Sequence, residues 1–295
     1  MASGNQLSPT AAQPVPNSQM PPVQASDDSV LRFEHVTVRF DEEVALNDVS
    51  FDVRRGQTRI ILGAAGSGKS VLLKAATGLV PVASGDIFLF DQRTTNLPEA
   101  EMYAVRSKVG MAFQESALFD SMTIAQNVAY PLLNQPSIKS KPDEARAKVK
   151  EALEFVELGQ TLQKYPSELS GGMRRRAAIA RAVVTKPPLL LYDSPTAGLD
   201  PITAHTIMQL IIKERDVDDT TALVVTHRYQ DGNLVANFRY NSHNGTLESS
   251  HHTTAMQSST RFMVMREGKL IFEGDQDELE ASKDPYICKF VKHAD

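Results

Sequence analysis

Cysteine is almost missing from this chain of 295 residues. Cys288 stands alone, which excludes an internal disulfide framework and any metal site built on several thiolates, and it fits a reducing compartment. A basic excess is missing too. The 31 Lys and Arg are outnumbered by 36 Asp and Glu, and a net charge of −5 argues against a nucleic-acid binder that works through a bulk positive field. No stretch approaches the roughly 18 consecutive apolar residues of a membrane-spanning helix. Runs such as Leu189-Leu190-Leu191-Tyr192 are strand-sized. The first residues have neither the basic start nor the apolar centre of a secretory signal, and no internal repeat is present.

Residues 1–28 are mostly Ser, Gln, Pro, Ala and Asn, with too little apolar surface to offset ordering entropy, and are expected to be a disordered tail. Order is expected from Leu31. The alternating sets Leu31, Phe33, Val36, Val38, Phe40 and Leu46, Val49, Phe51, Val53 predict half-buried strands. Ile60-Ile61-Leu62 predicts a short buried strand, and Val71 to Leu79 a helix. Ser84-Gly85-Asp86 and Asn96-Leu97-Pro98 read as turns. A mostly helical section over about 92–170 is interrupted by the strand Val109 to Phe113. Strands at Leu189 to Tyr192 and Ala222 to Val225 flank a helix around Thr203 to Lys213, an alternation that implies a mainly parallel, covered sheet. The polar stretch 229–260 reads as a surface insertion. Its His243, His251 and His252 have no carboxylate or cysteine at a spacing useful for a metal. Phe262 to Met265 and Leu270 to Phe272 form a hairpin pattern around Glu267-Gly268, and 281–295 extends beyond it.

Two clusters carry chemistry. Gly63-Ala64-Ala65-Gly66-Ser67-Gly68-Lys69-Ser70 lies between a predicted strand and a predicted helix, the setting of a phosphate-binding loop. The glycines let successive N–H groups point at one phosphate chain; Lys69 supplies a cation to the β/γ-phosphates and Ser70 a hydroxyl to Mg²⁺. The helix start adds its positive dipole end. The second cluster is Leu169-Ser170-Gly171-Gly172-Met173, where Ser170 is an N-cap and two glycines let an anion approach a helix start. It is followed closely by Leu189 to Asp193, a buried strand ending in an acid suited to Mg²⁺ and its waters.

Together these residues resemble the ATP-binding cassette (ABC) family over about 30–230 and again over 262–280. The resemblance implies an α/β fold of the P-loop NTPase type: an ABC nucleotide-binding domain over 29–280 with a RecA-like core, an antiparallel β subdomain and a helical arm. It implies ATP and Mg²⁺ as ligands. Residues 63–70 match the phosphate loop, Ser170, Gly171 and Gly172 the signature segment, Asp193 the end of the Walker B strand, and Ala197 to Asp200 the D-loop. Gln114 matches the Q-loop glutamine, a contact to Mg²⁺ and water, and His227 the switch histidine. Phe40 takes the place of the aromatic that stacks on adenine, the alternative being a strand residue facing the core. The family's geometry implies a head-to-tail homodimer, in which Ser170 to Gly172 of one chain close on ATP held by Lys69 and Ser70 of the other. It also implies docking of integral-membrane permease subunits near Leu118 to Val128, a peripheral place on the cytoplasmic face of the inner membrane, and no nucleic acid. Arg174-Arg175-Arg176 reads as a solvated helix face or as intrachain ion pairing.

The run Leu169 to Ala182, Asp200-Pro201-Ile202-Thr203 and Asp284-Pro285-Tyr286 through Phe290 are similar to the ATPase of Mla/Mce-type phospholipid transporters. That resemblance implies an Mce-type lipid-binding partner. Amino-acid importer ATPases share nearly every one of these motifs. One position departs from the family: Ser194 stands where most members carry the glutamate that activates water, and a serine hydroxyl is no general base near neutral pH. Slow hydrolysis, or an ATP-gated scaffold that turns over little, both follow from that residue.

Overall fold

The computed structural model describes residues 28–249 and 260–292. All of the expected tail except Asp28, His251 and His252 of the polar stretch, and the last three residues, 293–295, lie outside the described part.

Strands β1 (Ser29–Phe40) and β2 (Glu43–Arg54) pair antiparallel, with Phe33 opposite Phe51 and their rings stacked 4.7 Å apart. The buried strand β3 (Thr58–Leu62) then runs through the glycine-rich loop into helix α1 (Lys69–Ala76), which ends short of the expected Leu79. Strands β4 (Ser84–Leu89) and β5 (Gln92–Arg93) complete an antiparallel sheet of order β2-β1-β4-β5. The turn expected at Ser84-Gly85-Asp86 is instead the start of β4. Gly85, at φ +86°, lies so close to His35 O that a Cβ there would sit 2.2 Å from it, and the β1–β4 register shifts beside it.

Helix α2 (Glu99–Arg106), strand β6 (Val109–Ala112), and helices α3 (Ile124–Asn134), α4 (Pro142–Phe155) and α5 (Gly171–Val183) follow. Next come β7 (Leu189–Asp193), α6 (Pro201–Asp218), β8 (Thr221–Thr226), α7 (Tyr229–Asn237) and the hairpin β9 (Phe238–Asn241) and β10 (Thr246–Ser249). Strands β11 (Thr260–Arg266) and β12 (Lys269–Gly274), then helices α8 (Gln276–Glu280) and α9 (Pro285–Lys292), close the described chain.

The second sheet has the order β12-β11-β3-β8-β7-β6 and is parallel throughout except for the edge strand β12. Alternation along its strands serves two cores. Ile61, Leu191, Val225 and Met263 face α1 and the antiparallel sheet, while Ile60, Leu190, Val224 and Phe262 face the layer built from α3 to α7. Both faces are therefore covered, as the sequence pattern requires.

The expectation of a surface insertion from 229 onward is corrected at its start. Tyr229 and Val235 are 4% and 1% exposed and belong to the core, so α7 is part of the packed layer, and the hairpin after it rests on that layer through Phe238, Tyr240 and Leu247. Gly232 is the reason the helix fits: a Cβ there would meet Phe262 Cε1 at 2.6 Å. The second correction concerns one member of the arginine run, Arg175. Arg174 donates to Leu169 O, Arg176 to Val156 O, and Arg175 is buried. Arg174 is nonetheless exposed and Arg176 pairs with Glu157 at 3.3 Å, as expected of a solvated, ion-paired face; Arg175 alone departs from it.

Glu214 on α6 is 3% exposed. Burial pushes its carboxyl up to about 7, and the neighbouring Asp218 adds to the rise. Below about pH 4.5 the acid is neutral folded or unfolded. Between there and about 7 only the unfolded chain ionises, so stability falls as pH rises, by about 3 kcal/mol in all. Glu214→Gln is therefore expected to raise the melting temperature at pH 8 and to change it little at pH 4.5. Equal effects at the two pH values, in thermal melts, would reject this account.

Candidate nucleotide site

The parallel register brings the candidate residues together at one end of the sheet. Leu62, the last residue of β3, pairs with Thr226; Asp193 pairs with Val225; Ala112 pairs with Tyr192. The loops that carry Gly63 to Ser70, Gln114, Asp193 and Ser194, and His227 thus all leave the carboxyl ends of adjacent strands, where open α/β sheets bind ligands.

Gly68 caps α1 at φ +101°, in the left-handed region, and a Cβ there would meet Ala45 O at 2.6 Å. That turn exposes the free N–H groups of the first helical turn. Lys69 folds back over the loop, with Nζ donating to Gly63 O and Ala64 O, both at 2.8 Å, and lying 3.2 Å from Ser67 Oγ. Burial lowers the lysine's affinity for its proton, and the Asp193 charge opposes that shift. Ser70 Oγ donates to Asp193 Oδ1 at 3.0 Å. A hydroxyl and a carboxylate converging from two strands form the hard-oxygen pair that Mg²⁺ favours, so the residues present fit that ion. Gln114 is exposed in the turn after β6, and His227 is exposed immediately after β8. Phe40 is 44% exposed at the end of β1, which removes the alternative that it faces the core.

Ser194 has φ +47°, is 7% exposed, and donates from Oγ to Asp193 Oδ1 at 3.3 Å; its N–H donates to Val225 O at 2.9 Å. Its hydroxyl lies among the same oxygens as Ser70. Ser170 caps α5 by accepting from Met173 N at 3.3 Å, and Asp200 caps α6 by accepting from Thr203 N at 3.0 Å. These two glycines differ. Gly172 packs so tightly on α6 that a Cβ would meet Thr203 Cγ2 at 2.5 Å, whereas nothing among the described residues crowds Gly171.

Three contacts were not readable from the motifs. Arg175 donates to Phe113 O and to Ala197 O, each at 3.3 Å, joining the chain before Gln114 to the D-loop. Asp231 on α7 accepts from both Thr196 and Thr226. Tyr286 on α9 accepts from Ala64 N at 3.0 Å and donates to Met265 O at 3.1 Å, which puts the C-terminal helix against the phosphate loop. The proline and the tyrosine of Asp284-Pro285-Tyr286 mark a helix start, and only the fold places it here.

This arrangement of a strand-loop-helix phosphate cradle, a Ser70–Asp193 oxygen pair and a second capped glycine pair defines a P-loop nucleotide-binding cassette. The ABC transporter family profile matches residues 46–197, just over half of the chain, and the chain belongs to that family. It is 39% identical over 192 residues to the probable ribonucleotide transport ATP-binding protein mkl of Mycobacterium leprae, covering 65% of this chain and 55% of that protein. It is 36% identical over 231 residues to the methionine import ATP-binding protein MetN of Corynebacterium glutamicum, covering 76% and 63%. The chain thus spans little more than half to two thirds of the length of these curated relatives. Among solved structures, the dimeric bacterial ABC transporter cassette MJ0796 superposes with a TM-score of 0.71 at 28% identity, over 83% of this chain and 98% of that one. A post-hydrolysis dimer of the same cassette, bound to ADP and Pi, gives 0.69.

Proposed function

We propose that this chain energises a membrane transporter by binding and hydrolysing ATP as a dimer with a second copy, and that the transported substrate is phospholipid moved between the membranes of a bacterial envelope. The observation that carries the ATPase reading is the convergence of Lys69, Ser70 and Asp193 below one glycine loop. In it, Lys69 and the loop N–H groups hold the β/γ-phosphates and Phe40 stacks on adenine. Ser70, Asp193 and Gln114 hold Mg²⁺, which when bound neutralises phosphate charge. His227 contacts the γ-phosphate, and Ser170, Gly171 and Gly172 with Asp200 of the second copy close the site. Gly171, uncrowded among the described residues, has room for a phosphate presented from that copy. Hydrolysis forms a bond from a water oxygen to the γ-phosphorus as the bond to the ADP oxygen breaks; Ser194 can orient that water but not deprotonate it.

A groove of about 300 Å³ between β6, α3 and α5 supports a permease partner. Met111, Phe113 and Pro131 line it, and the Phe119 and Tyr130 rings, 4.8 Å apart, are 41% and 39% exposed beside it. Among the described residues no helix is long and apolar enough to cross a membrane. The phospholipid reading rests on the similarity of Leu169 to Ala182, Asp200 to Thr203 and Asp284 to Phe290 to Mla/Mce-type ATPases. The last of these runs is the helix that touches Ala64. A second reading, an amino-acid importer, is favoured by the methionine importers among the relatives.

Isolation of the native complex from detergent-solubilised membranes decides between them. Co-purifying permease and Mce-type subunits with bound phospholipid are expected. A methionine-binding subunit and no lipid would replace the phospholipid reading with the importer, and the absence of any permease would overturn both.

A further inference from the structure

We propose that Asp231, a residue outside every motif above, is a positioning residue that holds the His227 end of β8 and the loop after Ser194 as one unit for hydrolysis. The inference rests on His227 acting at the γ-phosphate, as read above.

Asp231 is 2% exposed, and its Oδ2 accepts from Thr196 Oγ1 at 2.6 Å and from Thr226 Oγ1 at 2.7 Å. Its other oxygen faces Arg228, whose Nε lies 3.8 Å away. A threonine hydroxyl has one proton to give. Thr226 gives it to Asp231, so its oxygen is oriented to accept, and it accepts from Arg228 N at 3.1 Å. That N–H belongs to the peptide that follows His227. The carboxylate therefore fixes the peptide plane on which the histidine hangs. Through Thr196 it fixes in the same stroke the loop two residues past Ser194, whose own N–H is bound to Val225.

Arg175 ties the far side of this loop, through Ala197 O, to Phe113. Gly232 lets α7 press on Phe262, which brings Asp231 down to the strand ends. A buried carboxylate satisfied by two hydroxyls is common as packing alone. What sets this one apart is that its two partners sit next to His227 and two residues after Ser194. A shift of about 1 Å in such groups costs up to roughly 10²-fold in rate.

The test uses Thr226→Val and Thr196→Val, which keep side-chain shape and leave the carboxylate, with Asp231→Asn as the conservative variant that retains an accepting oxygen. ATP turnover, ATP affinity and melting temperature are measured on the full chain. Thr226→Val is expected to lower kcat by about 10- to 100-fold with ATP affinity within about twofold of the parent, Thr196→Val to lower it less, and Asp231→Asn to retain most of the rate. Turnover within twofold of the parent in both valine variants would overturn the proposal. So would a loss of kcat matched by an equal loss of affinity, the mark of a merely structural residue. His227→Ala separates the two layers: if it leaves turnover intact, the reading of His227 fails, and if it abolishes turnover while Thr226→Val does not, this inference alone fails.

Discussion

Lys69→Ala is expected to weaken ATP binding by about 10²-fold, read by titration of a fluorescent nucleotide. The ammonium is held by two carbonyls of its own loop, both at 2.8 Å, and so is already directed into the cradle where the phosphates belong. A hydrogen bond to a charged group is worth about 1.5–3 kcal/mol, and the upper end of that range corresponds to the stated loss. The substitution also removes a positive charge facing Asp193, whose field favours the charged lysine. Two carbonyls lose their donor, that of the buried Gly63 and that of the exposed Ala64, so a melting temperature is measured beside the affinity. Unchanged affinity in a folded variant would remove the phosphate-loop assignment.

Ser194→Glu is expected to raise steady-state turnover by roughly 10- to 100-fold while ATP affinity changes little. Positioned general-base catalysis contributes about 10²–10⁴-fold, and only part of it returns in a pocket shaped around a smaller side chain. The backbone already accepts the left-handed conformation at φ +47°, so the new residue adds no fresh strain of that kind. A carboxylate placed beside Asp193 has its affinity for protons raised by the like charge, which suits a base working near neutral pH. Ser194→Ala is the control. It removes only the 3.3 Å bond to Asp193 Oδ1, and a large loss there would show that the hydroxyl positions water. Fast turnover in the parent chain, unchanged in Ser194→Glu, would mean that another group supplies the base.

The parts of this molecule that are local in sequence were legible before the fold was known. A phosphate loop needs eight consecutive residues, and the strand before it and the helix after it are where the pattern put them. The Walker B strand, the capped glycine pair and the hairpin near the end were legible for the same reason. What escaped is what distant contacts decide. Arg175 sits in a run of three arginines that looks like a wet surface, and its burial depends on carbonyls of Phe113 and Ala197 that no helical period reveals. Asp231-Gly232-Asn233 has the composition of a loop, yet contact with Phe262 overrides local propensity and makes it a helix. Tyr286 shows nothing of its role until α9 is folded against Ala64.

The position of β3 has a consequence for how the protein is made. Its Thr58 pairs on one side with Ala222 and on the other with Thr260, and the loop it feeds is braced by Tyr286. The nucleotide cradle is thus encoded early and completed late. At about 5–20 residues per second, a ribosome needs roughly 10–40 s to pass from the first of these strands to the last. For most of that interval Ile60, Ile61 and Leu62 have neither neighbour, and until β11 is made they have β8 alone, so nucleotide has no complete site with which to stabilise the growing chain. Long-range parallel pairing of this kind folds slowly and leaves apolar edges open to other chains. A chain wired in this way relies on its open strand edges staying shielded until β11 has been made.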